Sequence, residues 1–255
     1  MFTDSHTHLY LKDFDSDLET VIQSALDQKI NRFLLPNIDN KSLPKLLSVC
    51  KDYKGLVYPM IGLHPCQVDK DYTKQLEELY NYINSHNFIA IGEIGIDLYW
   101  ETKFLRQQKE AFRIQIKWAQ KHNLPIVIHC RNAFDEIYEI LEQEQGLISG
   151  VFHCFSGTEE QADKIIQLGF LLGIGGVLTF KNSNLDVVLK NIDLKHILLE
   201  TDAPYLTPHP LRGKRNEPKY LTYIIEKLCQ IKGVTQEELA LITNKNIDRV
   251  FFTKT

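Results

Sequence analysis

The sequence predicts an α/β protein that folds as a (β/α)8 TIM barrel with an additional C-terminal helix. Short apolar or β-branched segments alternate eight times with longer segments of helical periodicity. The 255 residues match the length of about 250 residues that is typical of such a barrel. A doubly wound sheet, the main alternative, would normally carry a glycine-rich loop after its first strand. This chain has His-Thr-His there.

Each predicted element follows from a change of hydrophobic period. The strands are predicted at 2–8, 32–36, 57–61, 89–93, 126–129, 150–153, 171–174 and 196–200. The helices are predicted at 15–29, 42–53, 73–86, 103–122, 133–145, 159–168, 184–191, 220–232 and 235–251. The last helix begins with a capping box, Thr235 followed three residues later by Glu238. Because no linker or repeat interrupts this pattern, residues 1–255 are predicted to form a single domain.

Composition and net charge limit the classes of function that fit this sequence. The net charge is −4 and there is no charged tail, so any phosphate chemistry must depend on a local site. The five cysteines include no CxxC pair, which suits a reducing compartment. No signal peptide and no membrane span of about 18 apolar residues is present. The sequence therefore predicts a soluble, cytoplasmic protein.

Polar residues cluster where the predicted strands end, which is where a barrel of this type places its chemistry. Side chains two residues apart on a strand face the same way, so His6 and His8 are expected to share a face. By the same alternation, Cys130 and Cys154 are expected to point away from the site. The strand ends and the turns after them carry His6, His8, His64, Glu93, His129, His153, Glu200 and Asp202.

Four of these imidazoles and two carboxylates are enough to hold two divalent metal ions, which would be Mg, Mn or Zn. Glu93, in the expected tight turn GEIG, is the natural bridge between them. A metal ion lowers the pKa of bound water to about 7, which supplies a nucleophile for hydrolysis. Glu200 is expected to steady a histidine ligand through its ring N–H. The predicted ligands are His6, His8, Glu93, His129, His153 and Asp202.

Several motifs, taken in order, resemble those of the TatD family of metal-dependent hydrolases within the amidohydrolase superfamily. They are HTHL, GLHP, GEIGID, VIHCR, FHCFSG and ETDAPYLTP followed by RGKRNEP, and they extend from residue 4 to about residue 220. The ordered set is far more specific than any one motif. The resemblance implies a (β/α)8 barrel and a metal-dependent deoxyribonuclease that acts as a 3′→5′ exonuclease.

The same resemblance implies catalytic roles for three residues. Asp202 would be a ligand of the first metal, with His6 and His8, and would orient the attacking water. Glu93 would bridge to the second metal, which His129 and His153 would hold. His64 resembles a family position that contacts the scissile phosphate. The sequence departs from the family at Cys66, where GLHP is often followed by another histidine.

Four basic residues are candidates for substrate binding through phosphate contacts: Arg131, Arg212, Lys214 and Arg215. They could equally be ordinary solvated charges. Tyr99 and Trp100 follow the fourth strand and could stack on a nucleobase or pack as a lid over the site.

The leading interpretation is therefore a TatD-type hydrolase that cleaves DNA phosphodiester bonds, with single-stranded DNA ends as its substrate. An amide, ester or lactone hydrolase of a small molecule is the alternative, although many of those enzymes have a carboxylated lysine where this chain has Glu93. A metal-binding protein without turnover is a third possibility. No membrane or obligate protein partner is expected, and the chain is expected to be a monomer.

Overall fold

A computed structural model describes residues 1–100, 102–144 and 148–253. The strands are β1 (Phe2–Asp4), β2 (Ile30–Leu35), β3 (Val57–Pro59), β4 (Ile91–Asp97), β5 (Ile126–Arg131), β6 (Gly150–Phe152), β7 (Leu171–Ile174) and β8 (Ile197–Leu199). The helices are α1 (Leu18–Asp27), α2 (Leu43–Asp52), α3 (Tyr72–Ile83), α4 (Leu105–His122), α5 (Phe134–Gln143), α6 (Glu159–Gln167), α7 (Leu185–Asn191), α8 (Leu221–Lys232) and α9 (Gln236–Ile247). The predicted helix 133–145 ends outside these ranges.

The strands follow one another around a barrel. β1 to β3 form one parallel sheet and β4 to β8 form a second, each in sequence order. A single parallel bridge between Ile61 and Ile91 joins the two sheets, and Gly92 N–H donates to the Ile61 carbonyl at 2.8 Å. On the other side, Ser5 N–H donates to the Leu199 carbonyl at 2.9 Å. The predicted TIM-barrel fold is confirmed.

Alternating strand residues divide the core into two clusters. The larger cluster lies between the strands and the surrounding helices. The smaller one contains the strand residues that point the opposite way, into the barrel, together with residues of the C-terminal segment. Its members are Leu34, Met60, Ala90, Val127, Val151, Leu171, Leu198, Ile247, Val250 and Phe251. The C-terminal segment therefore closes the end of the barrel where the strands begin and leaves the other end open.

The additional C-terminal helix is α9. It begins with the predicted capping box, since Thr235 accepts from Glu238 N–H and Glu238 accepts from Thr235 N–H. It ends at Ile247 and continues as a π-helical turn over Asp248–Phe252. Within the described ranges, no helix combines the length and the apolar composition needed to cross a membrane.

Five strands end earlier than predicted, namely β1, β2, β3, β6 and β8, and two strands, β4 and β5, end later. β1 ends at Asp4, β6 at Phe152 and β8 at Leu199. His6, His8 and Cys154 therefore lie beyond the strand ends, where strand alternation does not set the direction of a side chain. β4 instead continues to Asp97, so that Glu93 lies within a strand and not in a tight turn.

Candidate metal centre

Glu93 lies at the centre of a buried group of histidines, and its two carboxylate oxygens face different sides. Oε2 lies 3.2 Å from Nε2 of His6 and 3.7 Å from Nε2 of His8. Oε1 lies 2.7 Å from Nε2 of His153 and 2.8 Å from Nδ1 of His129. The two carboxylate oxygens therefore face different pairs of imidazoles, Oε2 facing His6 and His8 and Oε1 facing His129 and His153.

Asp202 lies on the side of His6 and His8. Its Oδ1 is 3.3 Å from Nε2 of His8 and 3.6 Å from Nε2 of His6. Asp202 N–H donates to the His6 carbonyl at 2.9 Å, which fixes the segment after β8 beside the segment after β1. Asp202 has a φ of 58°, so the chain turns there and brings the carboxylate back over the end of the barrel.

An irregularity in β4 positions Glu93. The pairing of β4 with β5 shifts register between Gly92 and Ile94, at Glu93. Gly95 has a φ of +140°, and a Cβ there would overlap the carbonyl oxygen of His129. Glycine at this position therefore permits the close approach of β4 to β5 that brings His129 to Glu93.

A hydrogen-bond chain fixes the tautomer of His8. The Tyr10 hydroxyl donates to the Pro36 carbonyl at 2.7 Å and lies 3.0 Å from Nδ1 of His8. Because the hydroxyl hydrogen is used by Pro36, the hydroxyl oxygen accepts from Nδ1–H of His8. The lone pair of neutral His8 is then on Nε2, which faces Glu93 and Asp202 and can bind a metal ion.

Asp97 fixes the tautomer of His129 through a hydrogen bond at Nε2, whereas the tautomer of His8 is fixed at Nδ1. Its Oδ2 lies 2.8 Å from Nε2 of His129. An ionised carboxylate can only accept, so Nε2 carries the hydrogen and the lone pair of the neutral ring is on Nδ1, towards Glu93. Asp97 was not among the predicted site residues, although its place at the carboxyl end of β4 in GEIGID is a signal for it.

His6 and His153 stack with their ring centroids 3.9 Å apart and their planes 9° apart. Oε1 of Glu200 lies 3.5 Å from Nδ1 of His153 without a hydrogen bond between them, so its role in steadying a histidine stays a prediction. Both ring nitrogens of His6 are buried without a hydrogen-bond partner among the residues that the structure describes. A buried, unpartnered imidazole nitrogen beside carboxylates fits a metal ligand, since a cation would bind that nitrogen and offset the negative charge of the carboxylates.

Three overlapping groups each bring ligand atoms within 4.8 Å of one another: His6, His153 and Asp202; His6, His8 and Glu93; and His64, Glu93 and His129. Histidine nitrogens and carboxylate oxygens are ligands of Zn and Mn, and carboxylates also suit Mg. The structure thus brings together all six predicted ligands, and the cluster fits a divalent metal site. Which of the six bind a metal ion stays a prediction.

His64 differs from the other imidazoles. Its Nδ1 accepts from Cys66 N–H at 3.0 Å, so the hydrogen of the neutral ring is on Nε2. Nε2 lies 3.4 Å from Oε1 of Glu93. Burial lowers the pKa of His64, and the nearby His129 lowers it further, against the opposing effect of Glu93. His64 therefore presents a hydrogen-bond donor at the site and not a lone pair.

The carboxylates of the cluster are held ionised. Burial alone would raise the pKa of Glu93, but the imidazoles of His153, His64 and His6 hold it well below its usual range. Burial likewise opposes ionisation of Asp202, and a hydrogen bond from His8 with the charges of the other imidazoles lowers its pKa. Two negative carboxylates in a buried site favour a bound cation.

A cavity of about 700 Å³ opens over the cluster. Its lining includes Trp100, Arg131, Tyr205, Cys66, Cys130 and Cys154. Both cysteines that were expected to point away from the site contribute to this lining, although Cys130 also packs against the core cluster between the strands and the helices. Both lie outside the three ligand groups found among the described residues. Burial raises the pKa of the Cys130 thiol to about 12, which keeps it protonated and a poor ligand.

The basic residues after β8 do not line this cavity within the described ranges. Nη2 of Arg215 lies 2.7 Å from Oδ2 of Asp17 and 3.1 Å from Oε1 of Glu217. Nη1 of Arg212 donates to the Thr207 carbonyl at 2.9 Å. Arg215 therefore has carboxylate partners in the protein, and these pairings weigh against its predicted contact with a phosphate.

Comparisons with known proteins find matches over almost the whole chain. A family model described as TatD related DNase matches residues 3–252. The chain is 39% identical over 254 residues to the uncharacterized metal-dependent hydrolase YabD of Bacillus subtilis (strain 168), covering 98% of this chain and 99% of that protein. The fold matches the crystal structure of YjjV, a TatD homologue from Escherichia coli K12, with a TM-score of 0.93 and 28% identity over 99% of this chain and 98% of that chain. A TatD family hydrolase from Entamoeba histolytica, 23% identical over 99% of this chain and 98% of that chain with a TM-score of 0.83, shares the fold.

Proposed function

Because the chain belongs to the TatD related DNase family of metal-dependent hydrolases, we propose that it cleaves phosphodiester bonds of DNA with two divalent metal ions. The position of Glu93 between two pairs of histidines carries this proposal. His6, His8 and Asp202 would hold one ion, His129 and His153 the other, and Glu93 would bridge them. Paired ions are common in nucleases and phosphatases, where they activate water and offset charge on the phosphoryl oxygens.

The side chains around the cluster have chemistry that suits this reaction. Asp202 is ionised and accepts a hydrogen bond from the attacking water at Oδ1, which can also receive the proton. Nε2–H of His64 faces the site and can donate to a non-bridging phosphate oxygen, where negative charge grows during attack. Arg131, exposed at the cavity, can pair with a neighbouring phosphate.

We further propose that the enzyme acts from the 3′ end of single strands. A cavity of about 700 Å³ has room for a chain end, and a net charge of −4 gives the protein no overall attraction for a duplex. The experiment is digestion of single- and double-stranded DNA, labelled at either end, with Mg, Mn or Zn added to chelator-treated protein. Mononucleotides should be released from an open 3′ end, and a 3′ phosphorothioate block should prevent it.

Glu93→Gln is the variant that links this activity to the site, since an amide cannot bridge two ions in the same way. It should abolish DNA digestion while the thermal melt stays cooperative. Digestion that ignores the 3′ block would remove the exonuclease assignment. If no DNA is cleaved with any of the three metals, but a carboxylic ester or lactone is hydrolysed, the small-molecule alternative replaces it.

A further inference from the structure

The short segment after β4 carries two aromatic side chains out of the protein at the mouth of the cavity. The side chains of Tyr99 and Trp100 are 55% and 68% exposed, although a protein usually buries residues of this size. Trp100 also lines the cavity, so its ring is open both to solvent and to the site. Of the two interpretations left open by the sequence, this exposure favours stacking over a packed lid.

The two rings contact each other and Arg131, and these three residues form the aromatic unit. The Tyr99 and Trp100 centroids are 4.7 Å apart in an edge-to-face arrangement with an interplanar angle of 88°. Cζ of Arg131 lies 4.1 Å from the Tyr99 centroid and 5.5 Å from the Trp100 centroid. Arg131 and Tyr99 therefore support Trp100, and they place a positive charge beside an open indole face.

The backbone ties this unit to the metal centre. Oδ1 of Asp97 accepts from Tyr99 N–H at 2.8 Å and from Trp100 N–H at 2.7 Å. Oδ2 of the same carboxylate accepts from His129. Leu98 N–H donates to the Arg131 carbonyl at 2.9 Å. The aromatic unit is thus held at a fixed distance from the imidazole that faces Glu93.

We propose that Trp100, supported by Tyr99 and Arg131, is a stacking subsite for one nucleobase of the DNA substrate. This inference rests on the proposed function. An exposed indole beside an arginine matches the two parts of a nucleotide, because the base stacks on the ring and the phosphate pairs with the guanidinium. Asp97 is the positioning residue that holds the stacked base in register with the metal centre.

The test is the affinity for 5′-fluorescein oligothymidylates, measured by anisotropy in an Asp202→Asn background so that the DNA is not consumed. One oligonucleotide is intact, and three others carry an abasic residue at the first, second or third position from the 3′ end. Trp100→Ala should weaken binding of the intact strand by about 5- to 150-fold, the usual range for one lost base–aromatic stack. Trp100→Phe should restore most of the affinity, and Tyr82→Ala, which removes an exposed ring on α3, should change nothing.

The abasic series identifies the stacked base. At one position, the abasic residue should weaken binding as much as Trp100→Ala does, and combining the two changes should cost little more than either alone. Additive losses, or an affinity that ignores Trp100, would overturn the subsite. DNA hydrolysis without any dependence on Trp100 would leave the proposed function standing and remove this inference. Base-dependent binding through Trp100 without hydrolysis would support the stacking subsite and remove the proposed function. Absence of DNA binding would remove both the subsite and the proposed function.

Discussion

Asp97 and His129 are joined by a hydrogen bond of 2.8 Å between Oδ2 and Nε2, on the far side of the imidazole from Glu93. The carboxylate is buried, and the hydrogen bond from His129 with those from the Trp100 and Tyr99 backbone lowers its pKa far below the usual range, although burial opposes this. An ionised partner of this type orients a histidine ligand and raises its basicity. Asp97 therefore belongs to the candidate metal centre even though it does not face the other ligands.

Asp97→Asn tests this arrangement. The amide places a donor or a weaker acceptor opposite Nε2 of His129, and we expect the affinity for the metal ion beside His129 to fall about 10- to 100-fold. Competition with a chromogenic chelator measures the change. Asp193→Asn is the control, because its carboxylate accepts from Lys195 N–H at the surface. Equal metal affinity in Asp97→Asn and the unmodified protein would contradict the assignment.

Tyr10→Phe makes the corresponding test at His8. It removes the oxygen that accepts from Nδ1–H of His8, so the ring loses its fixed tautomer, and metal affinity should again fall about 10- to 100-fold. The matched control is Tyr58→Phe, since the Tyr58 hydroxyl only donates to the Gly55 carbonyl at the surface. Should both variants bind metal equally well, the hydrogen bond from His8 to Tyr10 has no part in ligation.

These two supporting residues show where sequence analysis stops. The ligand candidates were found because each follows a predicted strand, and parallel strands in a barrel end on the same face. Tyr10 and Asp97 act through hydrogen bonds whose partners depend on how turns close in space. Asp97 could have been recognised in the sequence as an acidic residue at the end of β4. Nothing in the sequence links Tyr10 to the Pro36 carbonyl.

The third prediction tests whether His64 acts as a hydrogen-bond donor to the substrate or as a metal ligand. His64→Ala should leave the metal content unchanged, because the lone pair on Nδ1 already accepts from Cys66. The kcat for DNA should fall about 10²- to 10³-fold, as expected when one donor to a developing negative charge is removed. Elemental analysis and kcat are measured on the same preparation. Loss of one metal equivalent would make His64 a ligand.

The fourth prediction concerns two arginines with different surroundings. Arg131→Gln should reduce the slope of log affinity against log salt by about 0.7, the value for one phosphate contact on a single strand. Arg215→Gln should leave that slope unchanged, because Asp17 and Glu217 already pair with Arg215. It should instead lower Tm by about 1–4 °C, as expected for a partly exposed ion-pair network. A reduced slope in Arg215→Gln would restore its predicted phosphate contact.

Arg215 also illustrates a limit of the sequence. The RGKR segment was expected at the rim of the site because it follows β8, and three of its four residues are basic, which is typical of a cationic patch. Asp17 lies 198 residues earlier in the chain, so the pairing that neutralises Arg215 depends on tertiary structure. The strand ends were similarly uncertain, because polar residues after Asp4 and Leu199 continue the alternation of the strands although the backbone has already turned.

Anomalous diffraction from crystals grown with Mn²⁺ tests the central claim most directly, which is that Glu93 bridges two metal ions. We expect two peaks on opposite sides of the Glu93 carboxylate, roughly 3.5–4 Å apart. One should contact His6, His8 and Asp202, and the other His129 and His153. Two peaks without contact to Glu93, or a single peak bound through Nε2 of His64 at saturating Mn²⁺, would contradict it.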